Sequence, residues 1–185
     1  MTHADTYLKE TAAICAAIDP DDIERMAQAI SEVKGRVYMV GLGGSLANCM
    51  HMAADLRKLC DIDAVSPDNL AELTAWANDE GWFRMFDGYR RLLNNEDALF
   101  VLSVGGGTET VSAPLTWAIA NAFSCGAKVL GIVGPNGGEA AKKGDCVIRI
   151  PAPEGRVTPH TEAFQAVIWH CLVSHPLLQK RPTKW

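Results

Sequence analysis

The 185-residue chain contains no run of eighteen apolar residues, so it offers no membrane-spanning helix. Its first fifteen residues, MTHADTYLKETAAIC, lack the basic start and apolar stretch of a signal peptide, and the expected compartment is the cytoplasm. Positive charge is in short supply. Seventeen Lys and Arg stand against 22 Asp and Glu, and a net charge of −5 argues against nucleic acid as a partner, as the apolar pattern argues against a membrane. The six cysteines (Cys15, Cys49, Cys60, Cys125, Cys146 and Cys171) never fall in a CxxC pair. Buried free thiols are therefore expected over disulfides or a zinc knuckle. Two glycine-rich turns lack the Gly-Lys-Ser/Thr of a Walker loop, and Leu46 stands where a dinucleotide fingerprint needs a small residue. Linkers, low-complexity segments and short repeats are missing too. What remains, 48% hydrophobic and 21% charged, is the composition of one globular domain over residues 1–185.

The chain is organised around residues 36–59. A short apolar strand (Val37 to Val40) feeds a glycine turn (Gly41-Leu42-Gly43-Gly44-Ser45) and then a helix over about 46–59. Backbone N–H groups at such a turn point outward and attract anions. The pattern recurs where an apolar strand over 97–103 runs into Gly105-Gly106-Gly107-Thr108 and a helix over 109–124. Further apolar strands are expected at 128–133 and 145–150, and a short one at 61–65. Helices are expected at 5–19, from Pro20 to the stop at Gly35, at 69–77, at 82–93, and from Thr161 to near Pro176. Residues 1–34 thus form a helical hairpin and 35–185 an α/β core. Strands apolar on both faces and alternating with helices predict a three-layer α/β sandwich, a doubly wound, flavodoxin-like parallel sheet flanked by helices. Right-handed crossovers put the loops after Val40 and Ser103 at the carboxyl edge, where ligands bind. Met50, Ala53 and Ala54, with Cys49, are expected inside on the first core helix. The last helix is expected to bury Ala163, Phe164, Val167, Ile168, Cys171 and Leu172.

Two glycine turns, each followed by a hydroxyl residue (Ser45, Thr108), point to a phosphate. His51 and Asp55, four apart, share one helix face. Glu162 and His170 lie on the last helix, and neutral imidazoles with carboxylates suit a divalent metal such as zinc. Eight helical residues rise about 12 Å, so Glu162 and His170 share one ion only if Glu162 reaches back. His160, in the preceding loop, is a rival ligand. His3 and His175 read as terminal or surface residues.

VYMVGLGGSLANCMHMAADL resembles the first motif of the sugar isomerase (SIS) fold in its phosphoheptose isomerase branch: a strand, Gly-Asn-Gly-Gly-Ser, and a helix with His and Glu four apart. The resemblance continues through Leu73-Thr74-Ala75, Asn78-Asp79, the loop at 103–108, KVLGIVG and the last helix to His170. It implies an aldose–ketose isomerase that converts sedoheptulose 7-phosphate to a D-glycero-heptose 7-phosphate through a metal-assisted enediol. A zinc site, a homotetramer and a role in heptose biosynthesis come with it. By resemblance Leu42, Gly43, Gly44, Ser45, Asn78, Asp79, Ser103, Val104, Gly105, Thr108 and Glu162 fall at substrate and phosphate positions. His51, Asp55, Glu162 and His170 fall at metal positions, with Asp55 also the base and His170 its acid/base partner.

Departures accompany the match. Leu42 replaces an asparagine, Asp55 a glutamate, and Val104-Gly105-Gly106-Gly107 a loop richer in hydroxyls; Pro159, His160 and Glu162 stand where the family usually has Asp, Arg and Gln. The thinned loop supports a second reading, a non-catalytic SIS-domain sugar-phosphate-binding or scaffolding protein of the replication-initiator-partner type.

Overall fold

The computed structural model describes residues 1–184. Five strands, β1 (Val37–Val40), β2 (Ala64–Val65), β3 (Ala98–Ser103), β4 (Lys128–Val133) and β5 (Cys146–Arg149), form one parallel sheet in the order β2-β1-β3-β4-β5. The helices are α1 (His3–Ala17), α2 (Pro20–Ser31), α3 (Gly44–Cys60), α4 (Leu70–Asp79), α5 (Asp87–Arg90), α6 (Ala113–Cys125), α7 (Gly138–Lys143) and α8 (Val157–Val173).

Successive strand residues point to opposite faces, and here both faces are dry. Val37, Met39, Ala98, Phe100, Leu102, Leu130 and Ile132 meet the layer of α2, α3 and α8. Their neighbours Tyr38, Val40, Leu99, Val101, Val129 and Val133 meet the layer that contains Leu73, Leu115, Ile119 and Ala140 of α4, α6 and α7. From β1 the chain steps outward to β2 and then crosses back to β3, β4 and β5. Strand order therefore reverses between β1 and β3, and the glycine turns after these two strands flank the switch point.

Several boundaries and faces differ from expectation. α6 starts at Ala113, because residues 109–112 turn back on Thr108: its carbonyl accepts from the Ser112 N–H at 3.1 Å and its Oγ1 from the Val111 N–H at 3.2 Å. Residues 82–93 hold a 3-10 turn (Trp82–Arg84) and α5 instead of one helix. This segment closes around the buried Asp87 carboxylate, which accepts from Arg84 Nε and Trp117 Nε1, each at 2.7 Å. In α3, Cys49, Met52, Ala53 and Leu56 are buried, whereas Met50 (46% exposed) and Ala54 face outward.

α8 begins at Val157, so His160 is helical, and its buried stripe is turned by one residue. Phe164, Ile168 and Leu172 are inside with Gln165, Trp169 and Val173, while Val167 and Cys171 are exposed. The cause is polar. Gln165 Nε2 donates to Ser45 Oγ at 3.1 Å, and Asn48 Nδ2 donates to Gln165 Oε1 at 3.0 Å and to the Glu162 carbonyl at 2.9 Å. A buried amide is tolerated once its hydrogen bonds are met, and α3 meets them.

All six cysteines are free. Cys49 and Cys60 are buried, and burial raises the Cys60 thiol to about 11, far from thiolate chemistry. Against expectation, Cys15 and Cys171 are exposed. No helix among the described residues is long and apolar enough to cross a membrane.

α2 buries Met26, Ala27 and Ile30 in the core, but α1 buries only Ile14 and is tied down by charge. Glu10 accepts from Arg156 Nε at 2.6 Å and from Arg156 Nη2, and it lies 3.0 Å from His160 Nε2, whose ring stacks on Tyr7. The Arg156 hydrogen bond, followed by that from His160, holds the Glu10 carboxyl down at about 2, from an ordinary 4.5. A lowered carboxyl stabilises the folded state above its ordinary value, and that contribution disappears as pH falls from 4.5 towards 2. Protection factors of the α1 amides, which correct for the slower intrinsic exchange in acid, are therefore expected to fall over this window ahead of those in β3. Glu10→Gln should show the lower α1 protection already at pH 6. Equal α1 protection in the variant would refute the latch.

Candidate active site

The first glycine turn is shaped by close approach. A side chain on Gly41 would come within 2.9 Å of the Leu102 carbonyl of β3. Gly43, at φ 58° and ψ −128°, adopts a backbone only glycine takes readily, and space beside it is open. α3 therefore begins with no side-chain cap. The carboxylate of Glu162 stands against Gly44, where a Cβ would meet its atoms at 2.4–2.8 Å. The helix start, the positive end of its dipole, thus already faces a negative charge from its own chain. Ser45 is 1% exposed, and its Oγ accepts from Gln165 Nε2, so the hydroxyl lies between α3 and α8. Leu42 packs with the α4/α6 layer.

The second turn is built the same way. Ser103 Oγ accepts from the Gly106 N–H at 3.0 Å. Gly106 and Gly107, at φ 70° and 90°, seat on the turn at Gly137-Gly138, where a Cβ on Gly106 would fall 1.9 Å from the Gly137 carbonyl. The Glu139 and Ala140 N–H groups donate to the carbonyls of Gly107 and Gly106 at 3.0 and 2.9 Å, and Val104 accepts from the Gly134 N–H at 3.1 Å. Side chains are missing here because two backbones touch.

Two turns along α3 lies a different chemistry. One ligand atom each of His51, Asp55 and His170 lies within 4.8 Å of the others, with His51 Nε2 at 3.7 Å from Asp55 Oδ2. The Asp55 side chain is 17% exposed and that of His51 60%. His170 Nδ1 sits 2.7 Å from the Ala166 carbonyl, which can only accept. Nδ1 therefore carries a proton, and in the neutral imidazole the lone pair is on Nε2. Trp169, fully buried, lies against both imidazoles.

The structure brings three of the four expected metal positions together and leaves Glu162 out. Helical rise places His51 about 10 Å and Asp55 about 16 Å beyond Gly44, so a Glu162 held at Gly44 does not reach the cluster. His160, the rival ligand, is likewise elsewhere, fully buried against Glu10. Asn78 and Asp79 are exposed at the end of α4, and Asn78 Nδ2 donates to Asp79 Oδ1 at 2.8 Å. His175 is half-buried and 3.0 Å from Glu24. Sequence reasoning overlooked Trp169, Asn48 and Gln165. The available signal was a tryptophan beside His170, hidden by phasing the α8 stripe one residue too early.

No family model matches the chain. It is 30% identical over 176 residues to the phosphoheptose isomerase of Rhodospirillum rubrum, covering 88% of this chain and 90% of that protein. The chain belongs to the phosphoheptose isomerase family. Membership makes it an enzyme, a sugar-phosphate isomerase of the SIS fold. It is also 30% identical over 197 residues to the lincomycin biosynthesis protein LmbN of Streptomyces lincolnensis, covering 95% of this chain and 72% of that one. The fold matches the structure of the phosphoheptose isomerase from Neisseria gonorrhoeae with a TM-score of 0.80 at 22% identity, over 92% of this chain and 95% of that one.

Proposed function

We propose that this isomerase interconverts sedoheptulose 7-phosphate and a D-glycero-heptose 7-phosphate. The observation that carries the reading is the convergence of Asp55, His51 and His170, with Nε2 of His170 left free by its bond to Ala166. Asp55 is assigned to remove the proton on the carbon beside the carbonyl. His170 is assigned to exchange protons at the carbonyl and hydroxyl oxygens through Nε2. Two imidazoles and a carboxylate within reach of one another suit zinc or another divalent cation, and three protein ligands leave a coordination position open. The chemistry such an ion supplies when bound is charge stabilisation for the enediolate oxygens.

Glu162 bears on where the phosphate goes. A phosphate beside Gly44 would meet the Glu162 carboxylate and be repelled. The phosphate is accordingly assigned to the turn at Gly105–Thr108, and Glu162 to accepting hydrogen bonds from sugar hydroxyls. A homotetramer is assigned with this activity, and Met50 on α3 and Val167 on α8 are exposed apolar side chains that a neighbouring subunit would cover. Six unpaired cysteines support a cytoplasmic location.

Purified protein is expected to carry about one zinc per chain, to turn over sedoheptulose 7-phosphate, and to run above monomer mass in light scattering. Absence of bound metal together with no turnover of any C5–C7 ketose phosphate would overturn the reading.

A further inference from the structure

Trp169 heads the fully buried side chains by volume, and packing alone does not explain it. Its indole lies over the His170 ring with centroids 3.4 Å apart and 29° between planes, and it meets His51 at 4.6 Å and 64°. The two imidazoles stand nearly perpendicular, 5.5 Å apart at 88°. Consecutive helical residues point about 100° apart and do not normally face each other, so this stack is a specific arrangement. It also has a cost. The indole Nε1 is buried with no hydrogen-bond partner among the described residues, a penalty that leucine or phenylalanine would avoid. His51, with a side chain 60% exposed, has few other surfaces to limit its rotamers.

We propose that Trp169 is a positioning residue of the isomerase site, the common wall that holds His170 and His51 together beside Asp55, where the three would hold one divalent cation. The inference rests on the metal reading above. The indole closes one face of His170 while the Ala166 carbonyl holds Nδ1, so the ring is constrained in plane and in tilt, and Nε2 is the nitrogen left for a cation. The same indole stops His51 from swinging away from Asp55. Groups that orient ligands in this manner typically change metal affinity by about 10- to 100-fold.

The test titrates zinc into wild type, Trp169→Leu and Trp169→Phe, with circular dichroism confirming the fold of each. Trp169→Leu should bind zinc about 10- to 100-fold more weakly and lose kcat with little change in KM for the sugar phosphate. Trp169→Phe, which keeps a stacking ring, should recover most of the affinity. In wild type, zinc should alter indole emission. Trp169→Phe should lose that response even though Trp76, Trp82, Trp117 and Trp185 remain. Zinc affinity and kcat unchanged in Trp169→Leu would overturn the positioning role alone. A wild type that binds no zinc would overturn the metal reading and this inference together. If Trp169→Leu does not fold, Trp169→Met, which fills the site without a ring, decides: weaker zinc binding than wild type supports the role and unchanged affinity overturns it.

Discussion

Replacing His170 with alanine is expected to lower kcat by about a thousandfold or more and to leave the fold intact. A positioned acid/base group contributes about 10²- to 10⁴-fold, and the same change removes one of three candidate metal ligands. The side chain is exposed at the surface of α8, so its loss opens no core cavity and stability should change by about 1 kcal/mol or less. His160→Ala is the informative contrast. It also removes a histidine from α8, but a fully buried one that faces Glu10 and Tyr7 and lies outside the cluster. That variant should loosen α1 while keeping substantial turnover. Steady-state kinetics beside thermal melts separate the two, and wild-type kcat in His170→Ala would remove the residue from the mechanism.

Gly106→Ala should be the most damaging change in the glycine turns, destabilising the protein by about 3 kcal/mol or more through positive φ and overpacking combined. Its Cβ would fall 1.9 Å from the Gly137 carbonyl, a backbone atom that cannot rotate away, at φ 70°. Gly105→Ala is one position earlier and should cost about 1 kcal/mol or less, since its Cβ would meet only Thr108 Cγ2 at 3.9 Å. Urea denaturation of both variants checks the pair. Equal midpoints would mean that the Gly105–Gly107 turn does not seat on Gly137-Gly138 as described. The contrast also tests why this loop has so few hydroxyls: the space a serine side chain would need at Gly106 is filled by the Gly137-Gly138 turn.

The layering was legible because its cause is local. Phe100, Leu102, Leu99 and Val101 alternate along one strand and are all apolar, a pattern that only a sheet covered on both faces can satisfy. His51 and Asp55 were legible as a pair because helical spacing places them together. The phase of α8 was not, because burying Gln165 is favourable only with Ser45 and Asn48 of α3 beside it, 117–120 residues away in sequence. Asp87 hid a break in a helical pattern for the same reason: its partners include Trp117, 30 residues on.

By itself, then, the sequence determined the parallel α/β sandwich, the two glycine turns at its carboxyl edge and the pairing of His51 with Asp55, since each depends on residues close together in the chain. Only the tertiary structure decided that Glu162 leaves that group for Gly44, that Ser45 is occupied by Gln165, and that Trp169 walls the two imidazoles. Those outcomes depend on how α8 is rotated against α3. That rotation is set by buried hydrogen bonds between distant residues, which no local periodicity encodes.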